Sequence, residues 1–193
     1  MKRSARLTWV ADMLTHKGTQ TIATERLILR RFRPEDAQAM FDNWASDDEV
    51  TKYMTWPTHA DVSISQWVVN DWVSSYEKDD FYQWAIEFEG QPIGSISVVD
   101  YRDEIARATI GYCIGRNWWH KGIMSEALKA VMDYLFDEIG FNRIEACHDP
   151  NNPNSGKVMA KCGMKYEGTH RLSGRNNQGI CDEVFYALLK SER

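Results

Sequence analysis

The apolar positions of this chain recur with two periods, and the switches between them mark its elements. Thr24–Phe32 alternates and predicts a first strand. Pro34 then opens a helix in which Ala37, Met40, Phe41 and Trp44 share one face. A second helix is expected over about Ala60–Lys78, with Trp67, Trp72 and Tyr76 on its apolar side. Phe81–Phe88 and Pro92–Val99 read as strands joined by a hairpin at Glu89-Gly90-Gln91, and Ala106–Gly115 reads as a fourth strand. Ile123, Ala127, Leu128, Val131, Leu135 and Ile139 follow at helical spacing. They predict a long helix from about Gly122 to Ile139, stopped by Gly140. Asn142–Asp149 is a fifth strand. A short helix comes next, with Asn152 at its cap, Pro153 at its first position and Gly163 at its end. Two strands near Met164–Leu172 and Ile180–Leu189 close the chain. The order βααβββαβαββ predicts an α/β fold, one mixed sheet flanked by helices. The strands on either side of the long helix are expected to run parallel, because a helical crossover joins them.

The 193 residues suit one domain, and no repeat or linker interrupts them. Residues 1–20 read as an N-terminal extension and residues 21–193 as the domain. Apolar residues at 43% and charged residues at 26% exclude a disordered chain. Asp12 breaks the apolar run after the basic start, which argues against a signal peptide. No stretch approaches the roughly 18 apolar residues of a membrane span. Cys113, Cys147, Cys162 and Cys181 form no C-x-x-C pair, and no histidines cluster with them, so no metal site is expected. Free thiols and a cytoplasmic location are the corresponding expectation.

Charge changes the picture. A net charge of −5 makes the chain a poor general nucleic-acid binder. Yet Ile105–Ser125 contains no acidic residue, while Arg107, Arg116, His120 and Lys121 all fall inside it. This gap spans the turn from the fourth strand into the long helix. The first amides of a helix lack internal partners, and its dipole adds partial positive charge there. Lys121, Gly122, Ile123, Met124 and Ser125 are thus expected to aim several N–H groups at one anion, with Gly122 allowing close approach. The stretch is neither a nucleotide P-loop nor a dinucleotide fingerprint. A second helix opens after the next strand, at the same sheet edge, and places Asn152 and Ser155 beside the first.

The segments TERLILRRFRPEDA, GYCIGRNWWHKGIMSEAL, RIEACHDPNNPNSGKVMAKCGM and DEVFYALL together resemble the GNAT superfamily of acetyl-CoA-dependent N-acyltransferases. The resemblance is closest to the ribosomal-protein N-terminal acetyltransferase branch of RimJ/RimL type. It spans about Thr24 to Leu189. It implies the GNAT fold, with splayed parallel central strands, and acetyl-CoA as co-substrate. The family's Q/R-x-x-G-x-G/A loop falls on Trp119, His120, Lys121, Gly122, Ile123 and Met124, where only the central glycine fits the general pattern. The resemblance further implies that the strand at Cys113 and Ile114 pairs with the pantetheine arm. Asn152 would hydrogen-bond that arm, and Ser155 would sit near the thioester sulfur.

Direct attack of an amine on the thioester needs an oxyanion donor, a proton for the thiolate and an uncharged amine. The backbone N–H of Cys113 or Ile114 is the expected oxyanion donor, and Ser155 the expected acid. Many relatives carry Glu just before the Ile-Gly-Tyr of the fourth strand, where this chain has Thr109. Glu145 is therefore the expected base, with His148 and Asp149 close to the cleft mouth. An α-amine is already about 10–15% uncharged at pH 7, and a lysine well under about 0.1%. This favours a protein N-terminus as acceptor. A small amine such as a polyamine or an antibiotic, or a non-catalytic acyl-CoA-binding role, are the alternatives; the chain is expected to be a monomer or homodimer. Tyr53 and Trp56 are the expected acceptor-pocket residues, while Trp67, Trp72 and Trp84 are expected in the core. Cys113 and Cys147 lie near the acetyl position, where a covalent acetyl-cysteine is an alternative to buried structural thiols.

Overall fold

A computed structural model describes residues 14–193. An eight-stranded mixed sheet divides two helical layers. Its strands are β1 (Ile22–Ala23), β2 (Leu27–Arg30), β3 (Gln83–Phe88), β4 (Gln91–Arg102), β5 (Arg107–Ile114), β6 (Arg143–His148), β7 (Lys165–Asn176) and β8 (Gly179–Leu189). They lie in the order β1-β2-β3-β4-β5-β6-β8-β7. The expected first strand is split in two, because the Thr24 amide and hydroxyl both turn back to the Leu27 carbonyl. The last strand, β8, inserts between β6 and β7 and pairs antiparallel with both.

One face carries α4 (Ile123–Tyr134, running on in wider turns through Leu135–Ile139) and α5 (Pro153–Lys161). The α4 residues expected at helical spacing are all buried against β2–β6. Each of the Ile, Leu and Val side chains among them contributes about 1.5–3 kcal/mol. Gly140, at φ 97°, ends the helix in the left-handed conformation. The other face carries α1 (Asp36–Met40, continued by Phe41–Ala45), the short α2 (Asp48–Thr51) and α3 (Val62–Ser75). Here Met40, Trp44 and Val69 pack with Phe32 and Ala85.

Trp67 departs from expectation: it is 70% exposed, whereas Trp84 is fully buried and Trp72 half-buried. Val69 is the buried apolar anchor of α3, and a residue two positions away points to the opposite side of a helix. Residues 14–20, expected in the extension, pack against the domain. The Thr15 amide donates to the Ile139 carbonyl at 3.0 Å, and buried Thr19 donates to the Phe81 carbonyl. Residues 1–13 lie outside the described residues. Among those described, no helix is long and apolar enough to cross a membrane.

A buried cluster fixes α1 to the sheet. Arg30 on β2 donates to both carboxylate oxygens of Asp36, at 2.7 and 3.0 Å, and to Glu87 on β3 at 2.5 Å. Asp36 also accepts the Arg33 amide, so the same carboxylate fixes the entry into α1.

Candidate functional site

The site follows from where two parallel strands stop pairing. β5 and β6 are in register only at Arg107↔Arg143, Ala108↔Ile144 and Thr109↔Glu145. Beyond Thr109 they diverge, while β5 stays paired with β4 out to Ile114↔Gly94. Gly94 is required here, since a Cβ would lie 2.4 Å from the Cys113 carbonyl. The rungs of the β4–β5 ladder decide which groups face the gap. The Gly115 amide donates to Ile93, so by antiparallel alternation Cys113 pairs with Ser95, and Tyr112 and Ile114 direct their backbone into the gap. Of the two expected oxyanion donors, the geometry therefore selects Ile114. The Cys113 amide is turned towards β4, which corrects its catalytic assignment.

The neighbouring helix opening matches its sequence pattern. Gly122 is in the left-handed conformation, φ 74°, immediately before α4. No side chain caps it, which leaves the amides of Ile123, Met124 and Ser125 for an external anion. Cations surround the loop that the sequence did not single out. Arg26 donates to the Lys121 carbonyl at 3.1 Å, and both Arg26 and Lys161 lie 3.7 Å from where a Gly122 Cβ would project. With Lys121 and Lys129 they line a side cavity of about 340 Å³, tempered by Glu126. Trp119 has a supporting role: its indole N–H donates to the Ile114 carbonyl at 2.9 Å and its ring packs on the core.

A cavity of about 1260 Å³ runs from this loop through the gap to α2 and α3. Cys113, Ile114, Trp119, His120, Gly122, Ile123, Met124, Ser125, Glu145, Asn152 and Ser155 all line it, and Lys121 lines the adjoining smaller one. Asn152 precedes α5 but its side chain makes no capping bond, so its amide is available to the cavity. The Tyr112 hydroxyl lies 3.0 Å from Ser155 Oγ and 3.0 Å from the Ser155 carbonyl. Burial pushes the Tyr112 phenol well above its ordinary range, with the Ser155 bond opposing, so it remains protonated. Tyr112 is a residue that sequence spacing missed, because it lies 43 residues from Ser155 and meets it only in the fold.

Glu145 is placed differently from expectation. Its Oε1 accepts from Arg107 at 2.9 Å and Thr109 at 3.2 Å, and its Oε2 accepts from Arg143 at 2.9 Å. With Oε1 taken by Arg107 and Thr109 and Oε2 by Arg143, this carboxylate has little accepting capacity left to face the cavity, which argues against the base role. Asp149 is likewise occupied. Burial works against its charge, but bonds from Asn151 and Asn176 hold it below the usual carboxylate range. The His148 ring rests on Gly156, where a Cβ would lie 2.5 Å from Nε2, and its Nδ1 faces the Asp149 carbonyl at 2.8 Å. Burial pushes the Cys113 thiol up, and burial with the Glu183 charge raises Cys147 to about 12. Neither supplies the thiolate that a covalent acetyl-cysteine requires. Among the described residues no cluster of metal-ligating side chains occurs.

The acceptor wall is roofed by a bridge with no local sequence signal. Asn177, in the β7–β8 turn, donates from its amide to Met54 and from its side chain to the Thr51 and Trp56 carbonyls, the latter two at 2.8 Å. Tyr53, Trp56, His59 and Trp72 line the cavity beneath. Burial lowers the His59 pKa, and its Nδ1 lies 2.8 Å from Ser65 Oγ.

Known proteins are similar to this chain in sequence and in fold. Residues 26–165 match the family model for the acetyltransferase (GNAT) domain. The chain is 35% identical over 176 residues to the uncharacterized N-acetyltransferase p20 of Bacillus licheniformis, covering 90% of this chain and 98% of that one. It is 28% identical over 155 residues to the [ribosomal protein uS5]-alanine N-acetyltransferase of Escherichia coli (strain K12), covering 76% of this chain and 79% of that one. The fold also matches the microcin C7 self immunity acetyltransferase MccE, solved in complex with acetyl-CoA and AMP. That match has a TM-score of 0.79 and 20% identity, and it covers 92% of this chain and 99% of that one.

Proposed function

The chain belongs to the GNAT acetyltransferase family, and from that premise we propose that its acceptor is the α-amine of a protein N-terminus, of ribosomal-protein type. As an N-acetyltransferase it uses acetyl-CoA, which supplies a thioester-activated acetyl group. The α4 opening at Gly122–Ser125, with Arg26, Lys121 and Lys161 around it, suits the pyrophosphate. The Tyr112–Ile114 edge and Asn152 suit the pantetheine arm. The Ile114 amide faces the position of a developing oxyanion. Ser155, backed by the Tyr112 hydroxyl, gives the leaving sulfur its proton.

The observation that carries the acceptor reading is the pair Thr109 and Glu145. Where the family resemblance leads to the expectation of a glutamate there is Thr109, and the carboxylate of Glu145 beside it is clamped by Arg107 and Arg143. Stripping a proton from a lysine at pH 7 costs about 4.6 kcal/mol, and from an α-amine only about 1 kcal/mol. The α-amine therefore asks far less of whichever group takes its proton, and neither Thr109 nor Glu145 is placed to take it. The alanine N-acetyltransferase relative supports the same reading. A small-molecule amine is the second reading, favoured by the Asn177 bridge over the acceptor wall.

The test is release of CoA thiol from acetyl-CoA across N-terminal peptides, polyamines and aminoglycosides. The N-terminal reading expects turnover with the peptides, and turnover confined to the small amines rejects it. In the same assay Ser155→Ala is expected to lower kcat by about 10²-fold, the lower range for a lost general acid. Its acetyl-CoA affinity should stay near wild type. If affinity collapses while kcat holds, Ser155 is a binding residue.

A further inference from the structure

We propose that Glu183 is the general base that accepts the acceptor amine's proton. The inference rests on the N-acetyltransferase reading and names the group that Thr109 and Glu145 leave missing. Side chains alternate across the sheet, so the two faces separate cleanly. Ile144 and Ala146 of β6 join the core under α4 and α5, which puts Glu145 and Cys147 on the acceptor face. The register Cys147↔Phe185 and His148↔Val184 carries Phe185 and Glu183 of β8 to the same side. There, Glu183 lines the cavity beside Cys147.

Six carboxylates line the cavity: Glu49 and Asp71 are carried by α2 and α3, and of the four carried by the sheet and the turn after β6, three are already committed. Glu145 binds Arg107 and Arg143, Asp100 binds Arg107, and Asp149 is held by Asn151 and Asn176. Among the described residues Glu183 has no cationic partner. Its oxygens accept from the Ser173 hydroxyl at 2.7 Å and the Cys147 thiol at 3.4 Å. These neutral donors orient the carboxylate without neutralising it, and leave it lone pairs for a proton. The titratable and charged neighbours are Glu145 and Cys147 on β6, Asp149 just after it, His170 and Arg175 on β7, and Cys181 and Asp182 on β8. Cys147 stays protonated, since its pKa is raised to about 12 by burial and then by the Glu183 charge itself. The space for the carboxylate is provided by Gly174 on β7, where a Cβ would lie 2.7 Å from the Glu183 carboxyl carbon. Any other residue there would push Glu183 aside.

The proton account closes. The Glu183 carboxylate takes one proton from the ammonium and releases it to solvent. The freed nitrogen pair forms the N–C bond, and the C–S pair leaves with sulfur. The nitrogen gives up its second proton to the same carboxylate, Ser155 protonates the sulfur, and the proton held by Glu183 passes through solvent to restore the Ser155 hydroxyl. The products are amide, CoA thiol and one net proton.

Glu183→Gln removes the base while keeping size and one accepting oxygen. With acetyl-CoA and an alanine-starting peptide, its kcat/KM at pH 7 is expected to fall about a hundredfold. Acetyl-CoA affinity should stay within about twofold, and the deficit should narrow above about pH 8 as the α-amine loses its proton unaided. Glu183→Asp, which keeps a carboxylate, should restore part of the activity and serves as the deciding variant if the glutamine form does not fold. A Glu183→Gln enzyme with near wild-type kcat/KM and pH profile, or a Glu183→Asp enzyme no better than the glutamine form, would overturn the assignment. The wild-type rate separates the two levels of the proposal. Turnover there with an unaffected variant rejects Glu183 alone, and no wild-type turnover on any amine rejects the transferase reading beneath it.

Discussion

Gly122→Pro is expected to raise the dissociation constant for acetyl-CoA by about 10²–10⁴-fold. Gly122 holds φ at 74°, and proline fixes φ near about −65°. The loop must then re-form, and the amides of Ile123 and Met124 lose their common aim. A hydrogen bond to a charged group contributes about 1.5–3 kcal/mol. Two misdirected amides therefore cost about 3–6 kcal/mol, which converts to the stated range. Gly122→Ala is the graded control. Space is not the obstacle, because the added Cβ meets only the side-chain ends of Arg26 and Lys161 at 3.7 Å. The strain of the left-handed conformation is, at about 1–2 kcal/mol. Its affinity loss should thus be about tenfold. Calorimetric titration of the folded variants with acetyl-CoA gives the comparison, and a proline variant that binds as wild type does would remove the anion from this loop.

Arg30→Ala should cost about 3–5 kcal/mol of stability, the range for breaking a buried ion pair from one side. Arg30 and Asp36 are both more than nine-tenths buried, and the bonds between them are bidentate. Removing the guanidinium leaves the Asp36 carboxylate in the interior with the Arg33 amide and no cation. Glu87 loses its partner as well. In a domain of this size each kcal/mol shifts Tm by about 2–4 °C, so a drop of about 6–20 °C is expected. The effect should reach the acceptor wall, because Asp36 begins the helix that carries Met40 and Trp44 to the cavity. Thermal melts of the variant check it, and a shift below about 2 °C would show the cluster to be energetically idle.

The parts of the site that lie on one continuous segment could be read from the chain directly. Helical spacing from Ile123 to Ile139 and the glycine before it located α4 and its uncapped opening, and Pro153 located α5. The parallel contact between β5 and β6 followed from the crossover rule. Composition could not show that only three residue pairs of that contact form, because splaying is a property of the whole sheet. Nor could it show what Glu145 touches. Its two arginines are 38 and 2 residues away, and only the register of Thr109 against Glu145 brings Arg107 across. Tyr112 with Ser155, Arg26 with Lys121, and Asn177 with Thr51 and Trp56 are all pairings of distant segments. Trp67 misled the reading of α3 for a different reason. Trp67 and Trp72 both lie on that helix, and hydrophobicity alone does not say which of its faces is covered. The choice between Cys113 and Ile114 as oxyanion donor needed the phase of the β4–β5 ladder, which shifts by one residue with any bulge.

The most direct measurement of the central claim compares two peptides of one sequence, each containing an internal lysine. One has a free alanine α-amine, and the other has that amine blocked. Incubated with the enzyme and acetyl-CoA, the free peptide should gain one acetyl group at its N-terminus by mass spectrometry, with equimolar CoA thiol released. The blocked peptide should remain unmodified. Acetylation of the lysine at equal rate in both peptides, or no acetylation of either while a polyamine turns over, would contradict the assignment of the α-amine as acceptor.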